Sequence, residues 1–306
     1  MNCVVILGPT ASGKTALAAQ LGAKLSGEII SADSRQVYKK LDIGTGKDLH
    51  EYVVNGQQVP YHLIDCVEPN QHYYLHEFVR DLQLAFDSIV AKNKLPIICG
   101  GTGLYLDALH KAFEWTQVPE DPDWRAMAAS LNKEELRRLL DEFPTTLTDH
   151  VDRDSVKRII RGIEVARYRQ THALIAPPPL PYKPFYIGTH VSRETRHQKI
   201  EKRLAQRLDN GLIEEVQHLL ALGITAERLD RLGLEYRFVC LFLQGKISRE
   251  ELEAQLATAI RQFSRRQMTW FRKMEKEGIV IHWLNMEQPA VATDQAIQLV
   301  AKAFSL

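Results

Sequence analysis

Gly8-Pro9-Thr10-Ala11-Ser12-Gly13-Lys14-Thr15 fits GxxxxGK[ST], the pattern of a phosphate-binding loop. It stands where that pattern has physical meaning. The apolar run Cys3–Leu7 before it reads as a strand, and Leu17, Leu21 and Leu25 after it share one face of a helix. Glycines let backbone N–H groups converge on phosphate oxygens. The helix N-terminus adds partial positive charge, and Lys14 adds a full one. The Thr15 hydroxyl is placed to hold Mg²⁺. A glycine turn without a ligand is the alternative, and the strand and helix on either side argue against it.

Outward from this loop, Glu28–Asp33, His62–Val67 and Leu95–Gly100 read as further strands. Phe78, Leu82, Phe86 and Ile89 recur at helical spacing between the last two. Strands alternating with helices predict an α/β fold, a P-loop NTPase-like parallel sheet flanked by helices. After Phe113 the chain becomes helical and charged, and it ends that phase in the proline-rich stretch Ala176–Pro184. Residues 114–182 are therefore expected to form a helical insertion domain in a core made of residues 1–113 and 183–306. Phe185–Val191 and Ile279–Leu284 resume the sheet, with long amphipathic helices between them. Ser248 with Glu251 three residues on has the form of a capping box.

The whole chain has 306 residues and a formal net charge of +1, so it is not drawn as a body to nucleic acid or membrane. The charge is locally uneven. Residues 153–169 carry Arg153, Lys157, Arg158, Arg161, Arg167 and Arg169 against Asp154 and Glu164. Residues 261–276 carry Arg261, Arg265, Arg266, Arg272, Lys273 and Lys276 against Glu275, interleaved with Phe263, Trp270 and Phe271. Cations bind phosphates and aromatics stack on splayed bases. Such aromatics also serve as the core face of an amphipathic helix. Cys3, Cys66, Cys99 and Cys240 form no CxxC pair and read as reduced, buried thiols. With no spanning run and no leader pattern, a cytoplasmic protein is expected.

A phosphate loop most often holds ATP or GTP, with a second strand ending in Asp to support Mg²⁺. Here Leu95–Gly100 ends in Gly100-Gly101-Thr102-Gly103, and the acidic strand end is Asp33. Asp33 faces the loop if its strand is a neighbour.

Seven stretches in order resemble the tRNA dimethylallyltransferases, also called tRNA isopentenyltransferases, across essentially the whole chain. They are Gly8–Thr15; Asp33-Ser34-Arg35-Gln36-Val37-Tyr38 with Asp42–Thr45; Gly100–Tyr105; Asp154–Val165; Ile200-Glu201-Lys202-Arg203 with Gly211–Val216; Leu232–Arg237; and Arg265–Arg272. No CxxC…HxxxH finger follows, which favours the bacterial type. Leu232–Arg237 reads LGLEYR, where many bacterial members carry Gly-Tyr-Arg.

The resemblance implies that dimethylallyl diphosphate donates its five-carbon group to N6 of the adenosine at tRNA position 37, next to the anticodon, and that diphosphate leaves. It implies a catalytic base in Asp33, Thr102 at the reaction centre, and diphosphate held by Gly8, Pro9, Thr10, Ala11, Ser12, Gly13, Lys14, Thr15 and Arg203. It implies tRNA contacts at Asp33, Ser34, Arg35, Gln36, Thr102, Arg125, Lys157, Arg158, Ile159, Ile160, Arg161 and Arg237. From the bare residues, Asp33 is also a turn former or Mg²⁺ support, Thr102 a helix N-cap, and Arg203 one cation in a charged helix. Mg²⁺ is the expected cofactor and a monomer the expected state. The rivals are a P-loop small-molecule kinase, a prenyltransferase of free adenine nucleotides, and a non-catalytic RNA-binding module.

Overall fold

The computed structural model describes residues 2–174 and 181–305, so residues 176–180 of the proline-rich stretch lie outside it. The chain divides into two compact units, Met1–His110 with Leu180–Leu306, and Lys111–Pro179.

In the first unit β1 (Asn2–Leu7) enters the glycine loop and α1 (Lys14–Lys24) leaves it. β2 (Gly27–Ser31), the two-residue strands β3 (Val53–Val54) and β4 (Gln57–Gln58), and β5 (Tyr61–His62) follow. Then come α2 (Leu75–Ala91), β6 (Leu95–Gly100) and the short α3 (Gly103–Asp107). The second unit is helical among its described residues: α4 (Pro122–Ala128), α5 (Lys133–Asp141), α6 (Thr145–Thr148) and α7 (Val156–Thr171). The first unit resumes with β7 (Lys183–His190), α8 (Arg193–Asp209), α9 (Leu212–Ala221), α10 (Ala226–Leu232), α11 (Leu234–Leu243), α12 (Arg249–Lys276), β8 (Ile281–Asn285) and α13 (Pro289–Phe304).

Six strands form one sheet in the order β5-β2-β6-β1-β7-β8, and every pairing in it is parallel. β1 is central, and Cys3 to Leu7 are wholly buried, as a parallel strand covered on both faces must be. Leu17, Leu21, Ala292, Ala296 and Val300 of α1 and α13 share a core with Val4, Ile6, Ile29 and Ile97. α2 packs on β2 and β6. α8 to α12 enclose a second core with Val37, Tyr38 and Leu41. α12 begins in the expected capping box: Glu251 N–H donates to Ser248 Oγ at 3.2 Å, and Ser248 N–H donates to Glu251 Oε2 at 2.8 Å.

The strand expected over His62–Val67 stops at His62. Leu63 and Asp65 take φ of +60° and +57°, a left-handed backbone that no strand contains. The chain turns instead toward Val37, whose carbonyl accepts from Cys66 N–H at 2.7 Å and Val67 N–H at 3.0 Å. All four cysteines are free thiols; Cys3, Cys99 and Cys240 are buried, but Cys66 is exposed.

Candidate active site

The glycine loop depends on two backbone features. Gly8 lies so close to Thr189 of β7 that a Cβ there would meet its side chain and carbonyl. Gly13, the N-cap of α1, has φ of +85°, which glycine adopts at no steric cost. The Ser12 hydroxyl is buried, 2.8 Å from the Pro9 carbonyl it donates to and 2.6 Å from Thr189 Oγ1. It therefore fastens the loop to β7. In this arrangement the hydroxyl is engaged within the fold, and the backbone of the loop is what faces the cavity. Lys14 Nζ donates to the Pro9 carbonyl at 2.9 Å. Burial pushes the Lys14 ammonium below its ordinary pKa, and the negative charge of Asp33 is among the groups that oppose the shift.

β2 is not beside β1, because β6 runs between them. Asp33 nevertheless reaches the same cavity as the loop, since the intervening strand ends bare. Gly100 packs on the backbone of Ala32, where any Cβ would collide with the Ala32 carbonyl. The Thr102 N–H donates back to that carbonyl at 3.3 Å. A cavity of about 580 Å³ is thus lined by Lys14 and Thr15 of the loop, Asp33 to Gln36, Gly100 to Leu104, and Arg203. Asp33 Oδ1 accepts the Arg35 N–H at 2.8 Å, closing a turn that fixes the carboxylate. Thr102 stands at the N-cap of α3, yet its side chain makes no cap bond. Its hydroxyl accepts the Ser34 N–H at 3.0 Å and lies 3.4 Å from Ser34 Oγ, so it ties the Asp33 segment to the end of β6. Cys99 also lines the cavity, but burial pushes its thiol up to about 12, which leaves it no thiolate to react with.

Arg35 is exposed at the cavity, whereas Gln36 is buried. Gln36 Oε1 accepts the Ser31 hydroxyl at 2.9 Å and Nε2 donates to the Gly46 carbonyl at 3.0 Å, so its side chain is occupied within the fold. Arg203 donates to the Gly46 carbonyl at 3.4 Å and pairs with Asp48. Arg237 is exposed and pairs with Asp230 at 3.3 Å.

In the helical unit, Glu164 is buried and takes both Arg125 and Arg161. Arg125 grips it in a fork of two 3.0 Å bonds, and Arg161 also donates to the carbonyls of Trp115 and Val118. Both guanidiniums hold this unit together. Lys157 and Arg158 are exposed, the latter paired with Asp152 at 2.7 Å, and Ile160 is half-buried. Ile159 is wholly buried in the unit's core with Trp124, Leu136 and Ile163, where its side chain packs.

Two residues to which the motifs assign no role, Gln267 and Glu215, support this site. Gln267 of α12 is buried; its Oε1 accepts the Thr10 N–H at 2.8 Å and lies 3.2 Å from Thr10 Oγ1, while Nε2 donates to the Gly101 carbonyl at 3.0 Å. One amide thus joins the phosphate loop to the bare end of β6. Glu215 accepts three successive N–H groups, from Asp42, Ile43 and Gly44, at 2.7 to 3.0 Å, and the Tyr236 hydroxyl at 2.8 Å. It holds the Asp42–Gly46 segment, part of which lines the cavity. Trp270 and Phe263 also line the cavity, with Trp270 stacked against Gly103, while Phe271 of the same helix is wholly buried.

Gln267→Ala is expected to lower unfolding free energy by about 1–3 kcal/mol, because it strands a donor and an acceptor that are shielded from water. Gln267→Glu keeps the acceptor for Thr10 but sets a buried carboxylate oxygen against the Gly101 carbonyl, so its loss is expected to be at least as large. Urea titration of both variants checks the order.

Comparison with known proteins is consistent along the chain. The family models for IPP transferase and for isopentenyl transferase match residues 36–274 and 1–62. A tRNA dimethylallyltransferase 2 of Phocaeicola vulgatus is 50% identical over 295 residues, covering 93% of this chain and 92% of that protein. A tRNA dimethylallyltransferase 1 of Parabacteroides distasonis is 46% identical over 286 residues, covering 94% and 93%. The crystal structure of a tRNA delta(2)-isopentenylpyrophosphate transferase from Staphylococcus epidermidis superposes with a TM-score of 0.69 at 32% identity over 99% of each chain. A eukaryotic dimethylallyltransferase acting on tRNA superposes at 0.80 over 99% of this chain and 79% of that one; at 22% identity it supports the P-loop NTPase-like fold alone.

Proposed function

This chain belongs to the IPP transferase family, the tRNA dimethylallyltransferases, and from that premise we infer that its cavity transfers a dimethylallyl group from dimethylallyl diphosphate to N6 of the adenosine at tRNA position 37. One observation carries the reading: the cation and hydroxyl of a phosphate loop share a single cavity with a fixed carboxylate and with exposed Arg35, Phe263 and Arg266. Diphosphate belongs on the loop, and the base enters past the basic and aromatic groups after leaving its stack.

The exocyclic amine of adenine is a weak nucleophile, its lone pair being drawn into the ring. As nitrogen bonds to the allylic carbon, Asp33 takes the proton. The C–O bond breaks and its electron pair goes to the diphosphate. Lys14, the N-terminus of α1 and Arg203 stabilise the charge gathering there. Thr102 acts at the reaction centre, where its bond to Ser34 N–H keeps Asp33 aimed. Ser34, Arg35 and Arg237 contact the RNA. Gln36 shapes the segment behind them. In the helical unit Lys157, Arg158 and Ile160 offer the RNA surface, with Arg125 and Arg161 supporting it. The cavity presents hard oxygen donors, the Thr15 hydroxyl and the Asp33 carboxylate, and no imidazole among its described residues. That set suits a divalent cation; Mg²⁺ held by Thr15 would neutralise diphosphate charge. One copy supplies every group named, so a monomer suffices. No helix among the described residues is long and apolar enough to cross a membrane, and a tRNA substrate fits the cytoplasm.

Incubating the protein with unmodified tRNA and dimethylallyl diphosphate, then digesting the RNA to nucleosides, is expected to show one adenosine heavier by a dimethylallyl group. ATP consumption without such a product would indicate a small-molecule kinase. Transfer to free adenine nucleotide in preference to tRNA would remove RNA from the reading.

A further inference from the structure

We propose that Arg207, to which neither the motifs nor the comparisons assign a role, is a second diphosphate-binding arginine. It forms with Arg203 a two-guanidinium seat that distinguishes diphosphate from monophosphate. The proposal rests on the reading that this cavity receives a prenyl diphosphate.

Arg203 and Arg207 are four residues apart on α8 and so lie on one face, a turn apart. Both line the cavity that holds Lys14, Thr15 and Asp33, and both also line a smaller adjoining cavity of about 340 Å³. Their surroundings differ. Arg203 is a third exposed, donates to the Gly46 carbonyl and pairs with Asp48. Arg207 is only 13% exposed, and the Cα of Gly46 packs against its guanidinium.

Arg207 is poorly satisfied for so enclosed a cation. Nη1 donates to Glu235 at a long 3.3 Å, and Nη2 is 4.0 Å from the same Asp48 oxygen that Arg203 holds. Its Nε–H is buried with no partner among the described residues. A guanidinium has five donors, and leaving one buried and unmatched is costly. A purely structural ion pair would be expected to use the inner edge of the fork, and this one does not. Burial, with Arg203 alongside, disfavours the Arg207 charge, and burial likewise pushes Glu235 toward its neutral form. The two adjacent cations share Asp48, and Arg207 reaches Glu235 only at long range. An anion with several oxygens, able to meet Arg203 and the cavity-lining part of the Arg207 guanidinium together, completes the arrangement. The loop at Lys14 supplies one phosphate grip, and the arginine pair supplies the second that a diphosphate requires.

The probe is inorganic diphosphate, titrated calorimetrically into the full chain, with orthophosphate in parallel. Arg207→Met is expected to weaken diphosphate binding about tenfold or more, the loss of one charge-assisted bond, and to leave orthophosphate binding nearly unchanged. Because the single variant strands Glu235, the double variant Arg207→Met with Glu235→Gln removes both charges and is expected to show the same loss. Unchanged diphosphate affinity in either folded variant overturns the proposal and makes the pair structural. Weakened tRNA binding with diphosphate binding intact also overturns it, by assigning the seat to an RNA backbone phosphate. A parent chain that binds no diphosphate at all instead overturns the reading of the cavity, and the seat with it.

Discussion

Asp33→Asn is expected to lower kcat roughly 10²- to 10⁴-fold, the range in which a positioned general base contributes. The substitution is chosen because it isolates the chemistry. Asparagine keeps an oxygen to accept the Arg35 N–H, so the turn after β2 survives. What it loses is the ability to take a proton from the amine. KM for dimethylallyl diphosphate and the thermal midpoint are expected to stay near those of the parent. Single-turnover transfer to tRNA gives the rate directly. If Asp33 only supported a divalent cation, raising Mg²⁺ would restore the variant; under the base assignment it does not. Undiminished turnover would remove Asp33 from the chemistry.

Lys14→Met should cost kcat about 10²- to 10³-fold, comparable to removing one preorganised donor from a developing oxyanion. The ammonium is enclosed, bonded to the Pro9 carbonyl, and lies at the N-terminus of α1. Its charge matters most as the diphosphate takes up the electron pair. Folding is expected to be unaffected or improved, because the Lys14 pKa is lowered in the folded chain. A cation whose pKa falls on folding is less stable charged inside than outside, so at neutral pH its removal relieves the fold. Lys14→Arg is not expected to rescue activity, since a planar fork does not occupy the place of a compact ammonium. Activity assays paired with urea titration check both halves. A destabilised variant with normal turnover would contradict the assignment.

What was legible in the sequence was local. β1, the glycine loop and α1 are encoded in consecutive residues, and the capping box at Ser248 in four. The hairpin β3–β4, which the reading of strands passed over, is equally local: Asn55-Gly56 carries the positive φ of a tight hairpin turn. The truncation of β5 was not legible, because Leu63 and Asp65 are held left-handed by partners elsewhere, among them Lys47 on Asp65. Nor was the strand order. Asp33 reaches the loop across β6, a placement that the sequence left conditional on the strands being neighbours. Gln267 meets Thr10 from 257 residues away, and Arg207 meets Glu235 across three helix boundaries. Composition marks none of these. The inward turn of Ser12 and Gln36 belongs to the same class, since a hydroxyl or amide in a motif does not announce which way it faces.

The bare end of β6 has a metric consequence. With one strand lying between β1 and β2, the loop and the Asp33 carboxylate issue from strand ends two sheet spacings apart, about 9.5 Å. In the proposed reaction that interval must hold a phosphorus–oxygen leaving group, a five-carbon unit and an incoming nitrogen. The separation is set by backbone hydrogen bonds between strands, which side-chain substitution scarcely alters. The sheet therefore acts as a ruler for the displacement, and Gly100 and Gly101 keep its scale unobstructed.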